Sequence, residues 1–173
     1  MKSIILIALV CVLSTFQKPQ RYNCGSKWES FWPTCRRVYK FYENGTTFHE
    51  AERICQREIA HLASIHTEQE NEFIKFITRK GTPPSDPYDN NIWIGFFVDS
   101  NSGNWTWTDE SPVDYTKWAR GEPNKVEKFE HFAAIMPDVS YRNNPKYNSR
   151  GGEWNNLNSQ NWARGFVCKK FFL

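Results

Sequence analysis

The chain lacks a long apolar run after its first residues, an internal repeat and a cluster of basic side chains. Its one apolar stretch, residues 4–13, is about ten residues long and too short to span a bilayer. Basic residues exceed acidic ones by only 22 to 19 and are scattered along the chain, whereas a nucleic-acid site needs a clustered basic face. We therefore expect no transmembrane segment and no nucleic-acid partner.

The apolar stretch has the features of a secretory signal. Met1 and Lys2 provide a short charged start, and the run that follows has the length of a signal core. We expect residues 1–16 to be the signal peptide, 17–23 a polar leader and 24–173 a single domain of the secreted, extracellular protein. Aromatic residues make up 16% of the chain, with eight tryptophans, which argues against disorder.

The cysteine count indicates two disulfide bonds. Of the five cysteines, Cys11 leaves with the signal, and four remain. Four cysteines in a secreted chain allow three connectivities. The simplest joins Cys24 to Cys35 within a small loop and Cys55 to Cys168 across most of the domain.

The apolar pattern predicts an α+β fold with two early helices and a mainly antiparallel sheet. Thr47 with Glu50, and Thr67 with Glu70, have the spacing of capping boxes; the first helix is expected to end near Glu58. Alternating or aromatic-rich segments predict the strands, at residues 37–42, 93–98, 105–108, 132–136 and 165–172.

Residues 118–156 contain too many glycines and prolines to form one helix or one strand. Carboxylates and carboxamides are concentrated there: Glu122, Asn124, Glu130, Asn155 and Asn156. Oxygen atoms of this kind, gathered on loops, are the ligands that Ca²⁺ prefers. A solvated polar loop is the alternative, and it is the more common case for two isolated glutamates.

Seven short motifs occur in a fixed order between Cys24 and Lys169. They are Phe48-x-x-Ala51-x-x-x-Cys55, Ala60-His61-Leu62-Ala63-Ser64-Ile65, Trp93-Ile94-Gly95, Trp105-x-Trp107-x-Asp109, Trp118 before Glu122-Pro123-Asn124, Trp154-Asn155-Asn156 and Phe166-Val167-Cys168. In this order the motifs resemble the C-type lectin-like domain family.

The resemblance implies a double-loop domain whose N- and C-terminal strands pair and whose long loop carries the ligand site. It also implies the bridges Cys24–Cys35 and Cys55–Cys168. A further bridge of the family would join the positions of Phe132 and Ser159, so both of its cysteines are missing here. The loop would then be tethered only by packing and any bound ion.

The resemblance assigns Ca²⁺ to Glu122, Asn124, Glu130, Asn155 and Asn156, and sugar contacts to the first four of them. In the family, the Glu-Pro-Asn order goes with binding to mannose-, GlcNAc- or fucose-type glycans. The expected partners are therefore such glycans, either free or attached to glycoproteins. A filled site would have a cis bond before Pro123, since X-Pro is the only bond for which cis is readily accessible.

Asn156 stands where the family pattern has aspartate, which leaves two carboxylates instead of three. Because ligand charge tunes affinity, we expect a Ca²⁺ dissociation constant at or above about 10⁻⁴–10⁻³ M. An auxiliary ion site is not expected, since Lys125 and His131 replace acids. Tyr141 and Tyr147 are candidates either for stacking on a sugar or for covering the edge of the core.

The expected function is Ca²⁺-dependent carbohydrate binding. The alternative is a calcium-independent lectin-like module for a protein or lipid partner, which Asn156 and the long insertion favour. An enzyme is not expected, because the four histidines lack metal-site spacing and the remaining cysteines are bridged. Asn44 and Asn104 begin glycosylation sequons, and Asn104, just before a strand, is expected to be the less accessible.

Overall fold

In the computed structural model the described part of the chain comprises residues 20–85, 88–124, 130–140 and 149–172. It contains nine strands, two α-helices and a short 3₁₀ helix at Tyr88–Asn90; the strands and α-helices are numbered in chain order. They are β1 (Tyr22–Asn23), β2 (Glu29–Ser30), β3 (Arg37–Tyr42), α1 (Phe48–Arg57), β4 (His61–Leu62), α2 (Glu68–Thr78), β5 (Ile92–Val98), β6 (Trp105–Trp107), β7 (Phe132–Met136), β8 (Glu153–Leu157) and β9 (Gly165–Phe171). The predicted α+β class is confirmed. The predicted signal peptide, Lys125, Tyr141 and Tyr147 lie outside the described residues.

The strands form one sheet in the order β1-β2-β3-β9-β5-β7-β8, with β4 added on β9 and β6 on β5. The pairings described are antiparallel except that between β5 and β9. Strands β3 and β9 pair along their length, from Arg37 opposite Phe171 to Tyr42 opposite Phe166. The expected pairing of an early strand with the last one is therefore present. No helix in the described ranges is long and apolar enough to cross a membrane.

Both disulfide bonds have the expected partners. Cys24 is bonded to Cys35, with their Cα atoms 5.7 Å apart. Cys55 on α1 is bonded to Cys168 on β9, which are 113 residues apart in the sequence. A bond that closes so long a loop contributes about 4–5 kcal/mol in a chain-entropy estimate.

The helices bury the faces that their spacing predicts, but the N-terminus of α1 differs from the expectation. Phe73 and Ile74 of α2 are fully buried. The Thr67 hydroxyl accepts a hydrogen bond from the Glu70 backbone N–H at 3.1 Å, so this cap is present. The capping box at Thr47 was wrong, because that side chain makes no capping hydrogen bond.

The Glu70 side chain is used inside the core as well as at the start of its own helix. It is fully buried, and its carboxylate lies 3.2 Å from the Lys169 ammonium of β9, whose side chain is 1% exposed. The Tyr39 hydroxyl and the His66 backbone N–H also donate to this carboxylate, each at 2.7 Å. Burial lowers the pKa of Lys169, and Glu70 offsets part of that effect. The pair joins α2 to the central strands that support the site.

We predict that Lys169→Met lowers the free energy of unfolding by about 3 kcal/mol, because it leaves the buried Glu70 carboxylate with only the exposed Arg37 guanidinium, 3.6 Å away, as its cation. Denaturant unfolding measures this loss. Lys170→Met is the matched control, since Lys170 lies 4.1 Å from the Trp28 ring in a partly buried position and should lose only about 1 kcal/mol. Adding Glu70→Gln to Lys169→Met should recover part of the loss. Equal losses of stability for Lys169→Met and Lys170→Met would contradict the assignment of Lys169 as the buried partner of Glu70.

Candidate functional site

The segment before Glu122 is anchored on strand β8. The backbone of Trp154 accepts a hydrogen bond from Ala119 at 2.8 Å and donates one to Lys117 at 2.7 Å. Trp154 is fully buried, and its indole N–H donates to the Asn71 side chain of α2 at 2.8 Å. Trp118 packs edge-on against the same indole, with centroids 5.9 Å apart. The entry to the candidate site is thus fixed to the core.

A tight turn then brings Glu122 and Asn124 together. Gly121 has φ +89°, a conformation that glycine adopts at little cost, and the Glu122 N–H donates to the Ala119 carbonyl at 3.0 Å. The Glu122–Pro123 peptide bond is cis, the isomer expected for a filled site. The Asn124 side-chain NH₂ lies 2.7 and 2.6 Å from the two carboxylate oxygens of Glu122. The two side chains therefore form a direct contact.

Asn156 connects this turn to Glu130. Its amide oxygen accepts a hydrogen bond from the Asn124 backbone N–H at 3.0 Å. Its NH₂ donates to the backbone carbonyls of Asn124 at 2.8 Å and Glu130 at 2.9 Å. The residue is only 1% exposed. Both N–H donors of the amide are used, a role that an ionised carboxylate cannot fill because it has no proton to donate.

Asn155 lies beside this cluster but is not hydrogen-bonded into it. It is paired with Ala134 across β7, while Asn156 is paired with Ala133. Successive side chains of a strand point to opposite faces, so the half-buried Asn155 is turned away from the face that buries Trp154 and Asn156. Its side chain makes no hydrogen bond with any residue in the described ranges. Both asparagines lie on strand β8, whereas they were expected in a loop.

The cluster offers the donor atoms that calcium uses, at a low total charge. Two acidic residues, Glu122 and Glu130, are accompanied in the cluster by the amides of Asn124 and Asn156, while the Asn155 side chain lies on the other face of β8. Among the described residues no group of three acidic, histidine or cysteine side chains could hold a metal ion. An ion bound here would therefore need amide oxygens to complete its shell, and the Asn124 amide, whose NH₂ now faces Glu122, would have to turn its oxygen toward the ion. Oxygen-only ligands with two charges suit a weak Ca²⁺ site.

Aromatic packing occupies the place of the missing third bridge. Phe132, half-buried at the start of β7, packs on Phe48 of α1 with ring centroids 4.6 Å apart and on His49 at 5.2 Å. Ser159 is half-buried. The expectation that only packing and an ion hold the loop is corrected by the two hydrogen bonds from Asn156, which join its flanking residues Asn124 and Glu130.

The two glycosylation acceptors are both at the surface. Asn44 lies in the turn between β3 and α1 and is exposed. Asn104 is exposed as well, directly before β6, so the expectation that it is the less accessible was wrong.

Comparison with known proteins gives a consistent family. Residues 44–170 match the model of the lectin C-type domain. C-type lectin lectoxin-Lio1 of Erythrolamprus poecilogyrus is 30% identical over 95% of this chain and 89% of its own length. The galactose-specific lectin nattectin of Thalassophryne nattereri is 27% identical over 96% of this chain and 94% of its own. The crystal structure of C-type lectin CEL-I from Cucumaria echinata superposes with a TM-score of 0.69 at 26% identity, covering 87% of this chain and 100% of that one.

We predict that Asn156→Asp lowers stability in EDTA by about 2 kcal/mol, because the Asn124 and Glu130 carbonyls lose their donors. Thermal unfolding measures the loss. Excess Ca²⁺ should reduce this loss of stability, since a third carboxylate raises the affinity of the site for the ion.

Asn155→Asp is the matched control for this prediction. It introduces the same charge at the neighbouring position but breaks no hydrogen bond within the described residues. It should leave stability in EDTA within about 0.5 kcal/mol of the parent. Equal destabilisation by the two variants would show that charge, and not the amide donors of Asn156, decides the stability of the site.

Proposed function

We propose that this chain, which belongs to the lectin C-type domain family, is a secreted carbohydrate-binding protein that needs Ca²⁺ to hold its sugar. The observation that carries the proposal is the contact between the Glu122 carboxylate and the Asn124 amide, tied through Asn156 to Glu130. Secretion is supported by the signal-like start and by two disulfide bonds, which persist in oxidising compartments.

The residues that would hold the ion are Glu122, Asn124, Glu130 and Asn156, joined by Asn155 when its side chain turns toward them from the opposite face of β8. When bound, Ca²⁺ supplies a coordination site for two vicinal sugar hydroxyls. The carboxylates of Glu122 and Glu130 accept hydrogen bonds from those hydroxyls, and the NH₂ groups of Asn124 and Asn155 donate to them. The site would bind those sugars whose hydroxyl donors and acceptors match this arrangement of carboxylates and amides.

The order of donors and acceptors favours mannose-, GlcNAc- or fucose-type glycans, free or on glycoproteins. Glu122 precedes and Asn124 follows Pro123, which is the acid-before-amide order that the resemblance associates with these sugars. Nattectin is described as galactose-specific, so galactose is the informative competitor. The site should be weak in calcium, because Asn156 contributes no charge.

We predict that titration calorimetry detects mannose binding at several millimolar Ca²⁺, weaker galactose binding, and no mannose binding in EDTA. Glu122→Gln should abolish the mannose signal, because it removes a carboxylate that would serve both the ion and the sugar. Glu110→Gln, at an exposed glutamate away from the cluster, is the control and should bind like the parent. Absence of mannose heat at several millimolar Ca²⁺ would reject the proposal.

A second candidate is a calcium-independent module that binds a protein or lipid partner. It is favoured by one observation: the Asn156 amide joins Asn124 to Glu130 through two neutral hydrogen bonds to their backbone carbonyls, and such bonds do not require the charge of an ion. The two candidates differ in their response to chelation. Partner binding that survives EDTA would support this one, and its loss on adding EDTA would reject it.

A further inference from the structure

A pocket of about 610 Å³ adjoins the proposed ion site and shares Asn124, Glu130 and Asn156 with it. Its remaining wall comes from β5, from the turn that follows it and from the start of β6. Pockets of 300–1,000 Å³ commonly take small organic ligands. Two hydroxyls at an ion leave most of such a volume unfilled, so the pocket has room for a further sugar residue.

The pocket does not have the side chains of a second metal site. Among the described residues that line it, the only carboxylate apart from Glu130 is that of Asp99, which accepts hydrogen bonds from the backbone N–H groups of Asn101 at 3.3 Å and Ser102 at 3.0 Å. Hydrogen bonds from Ser102 and Asn101 hold the pKa of Asp99 below its usual range. The Asp99 carboxylate is already hydrogen-bonded within its own turn, so the pocket suits an organic ligand better than a second metal ion.

One wall of the pocket is apolar and held in place from behind. Trp105 is half-buried, and its ring packs against Phe96 at 5.1 Å and against Trp118 at 4.7 Å between centroids. Val98 is half-buried beside it and is paired with Trp105 across β5 and β6. Pro123 of the cis turn completes the apolar side. Such a wall suits a methyl group or the apolar face of a sugar ring.

The pocket lining also provides polar side chains that have no partner in the described ranges. His131 is exposed, its backbone carbonyl accepts the Val98 N–H at 2.8 Å, and its imidazole makes no hydrogen bond with a described residue. The Ser100 hydroxyl, exposed in the turn after β5, is likewise without a described partner. Both can donate a hydrogen bond to a ligand carbonyl.

We propose that this pocket binds a second sugar residue that carries an acetamido group. The group combines a methyl, which Val98 and Trp105 would cover, with a carbonyl that accepts from His131 or Ser100. The inference rests on the proposed function, because the first sugar at the ion site places the second one in the pocket. The preferred ligands are therefore N-acetylated oligosaccharides rather than single sugars.

The ligand test compares N,N′-diacetylchitobiose with cellobiose, two disaccharides of the same linkage that differ in having acetamido or hydroxyl groups at C2. At several millimolar Ca²⁺ the acetylated one should bind about tenfold more tightly, the effect of one buried methyl and one added hydrogen bond. Equal affinities would overturn the proposal. Mannose, measured in parallel, reports on the ion site alone.

The protein test fills the pocket from its rim. Ser100→Trp should bring chitobiose affinity down to the cellobiose level and leave mannose affinity unchanged. Asn101→Trp adds the same bulk one residue further along the turn, outside the pocket lining, and should keep the preference. His131→Ala should reduce the preference several-fold. A preference that survives Ser100→Trp would overturn the assignment of the pocket.

The outcomes also separate the two proposals. Mannose binding without an acetamido preference would overturn the pocket and retain the calcium-dependent site. Chitobiose binding in EDTA that Ser100→Trp abolishes would support the pocket and reject the requirement for calcium. Failure of all three sugars at several millimolar Ca²⁺ would reject both.

Discussion

The side-chain amide of Asn156 donates one hydrogen bond to the carbonyl of Asn124 and one to that of Glu130. These bonds depend on β8, because the buried indole of Trp154 fixes the strand and places Asn156 two residues later on the same face. The rest of the site follows from this arrangement. Glu122 is oriented through its contact with Asn124, and the backbone of Glu130 is held two residues before β7. Neutral donors thus tie together the two chain segments that carry the acids.

An amide at position 156 has two opposite effects on the proposed calcium site. It donates to two carbonyls, which orders the residues around the ion before any ion is present. It also withholds a negative charge, which lowers the affinity for the ion. An aspartate would reverse both effects. An amide at position 156 therefore favours a site that the protein orders by itself, whereas an aspartate would favour one that the metal orders. The first case fits the calcium-independent candidate function and the second the calcium-dependent one.

Much of the fold could be predicted because its signals are local. Strand β3 and the buried face of α2 follow from residue spacing. The cysteine count indicates two bridges but leaves three pairings open, and the family resemblance implies the pairing that is present. Strand β8 could not be predicted, since Glu153–Leu157 contains two asparagines and becomes a strand only by pairing with β7, which lies earlier in the chain. The site residues could be named by type and order, but the partners of Asn156 are backbone carbonyls that no side-chain pattern reveals. The pocket was missed because separate segments contribute its walls.

The most direct test of this account is the hydrogen exchange of the Asn156 side-chain NH₂ in a ¹⁵N-labelled protein in EDTA, with the resonance assigned by its loss in Asn156→Asp. The amide is 1% exposed and both of its protons are hydrogen-bonded. The account predicts exchange that is slowed at least about a hundredfold relative to an exposed asparagine, since both protons must be released by local opening. Exchange at the rate of an exposed side chain, with protection only after calcium is added, would contradict it.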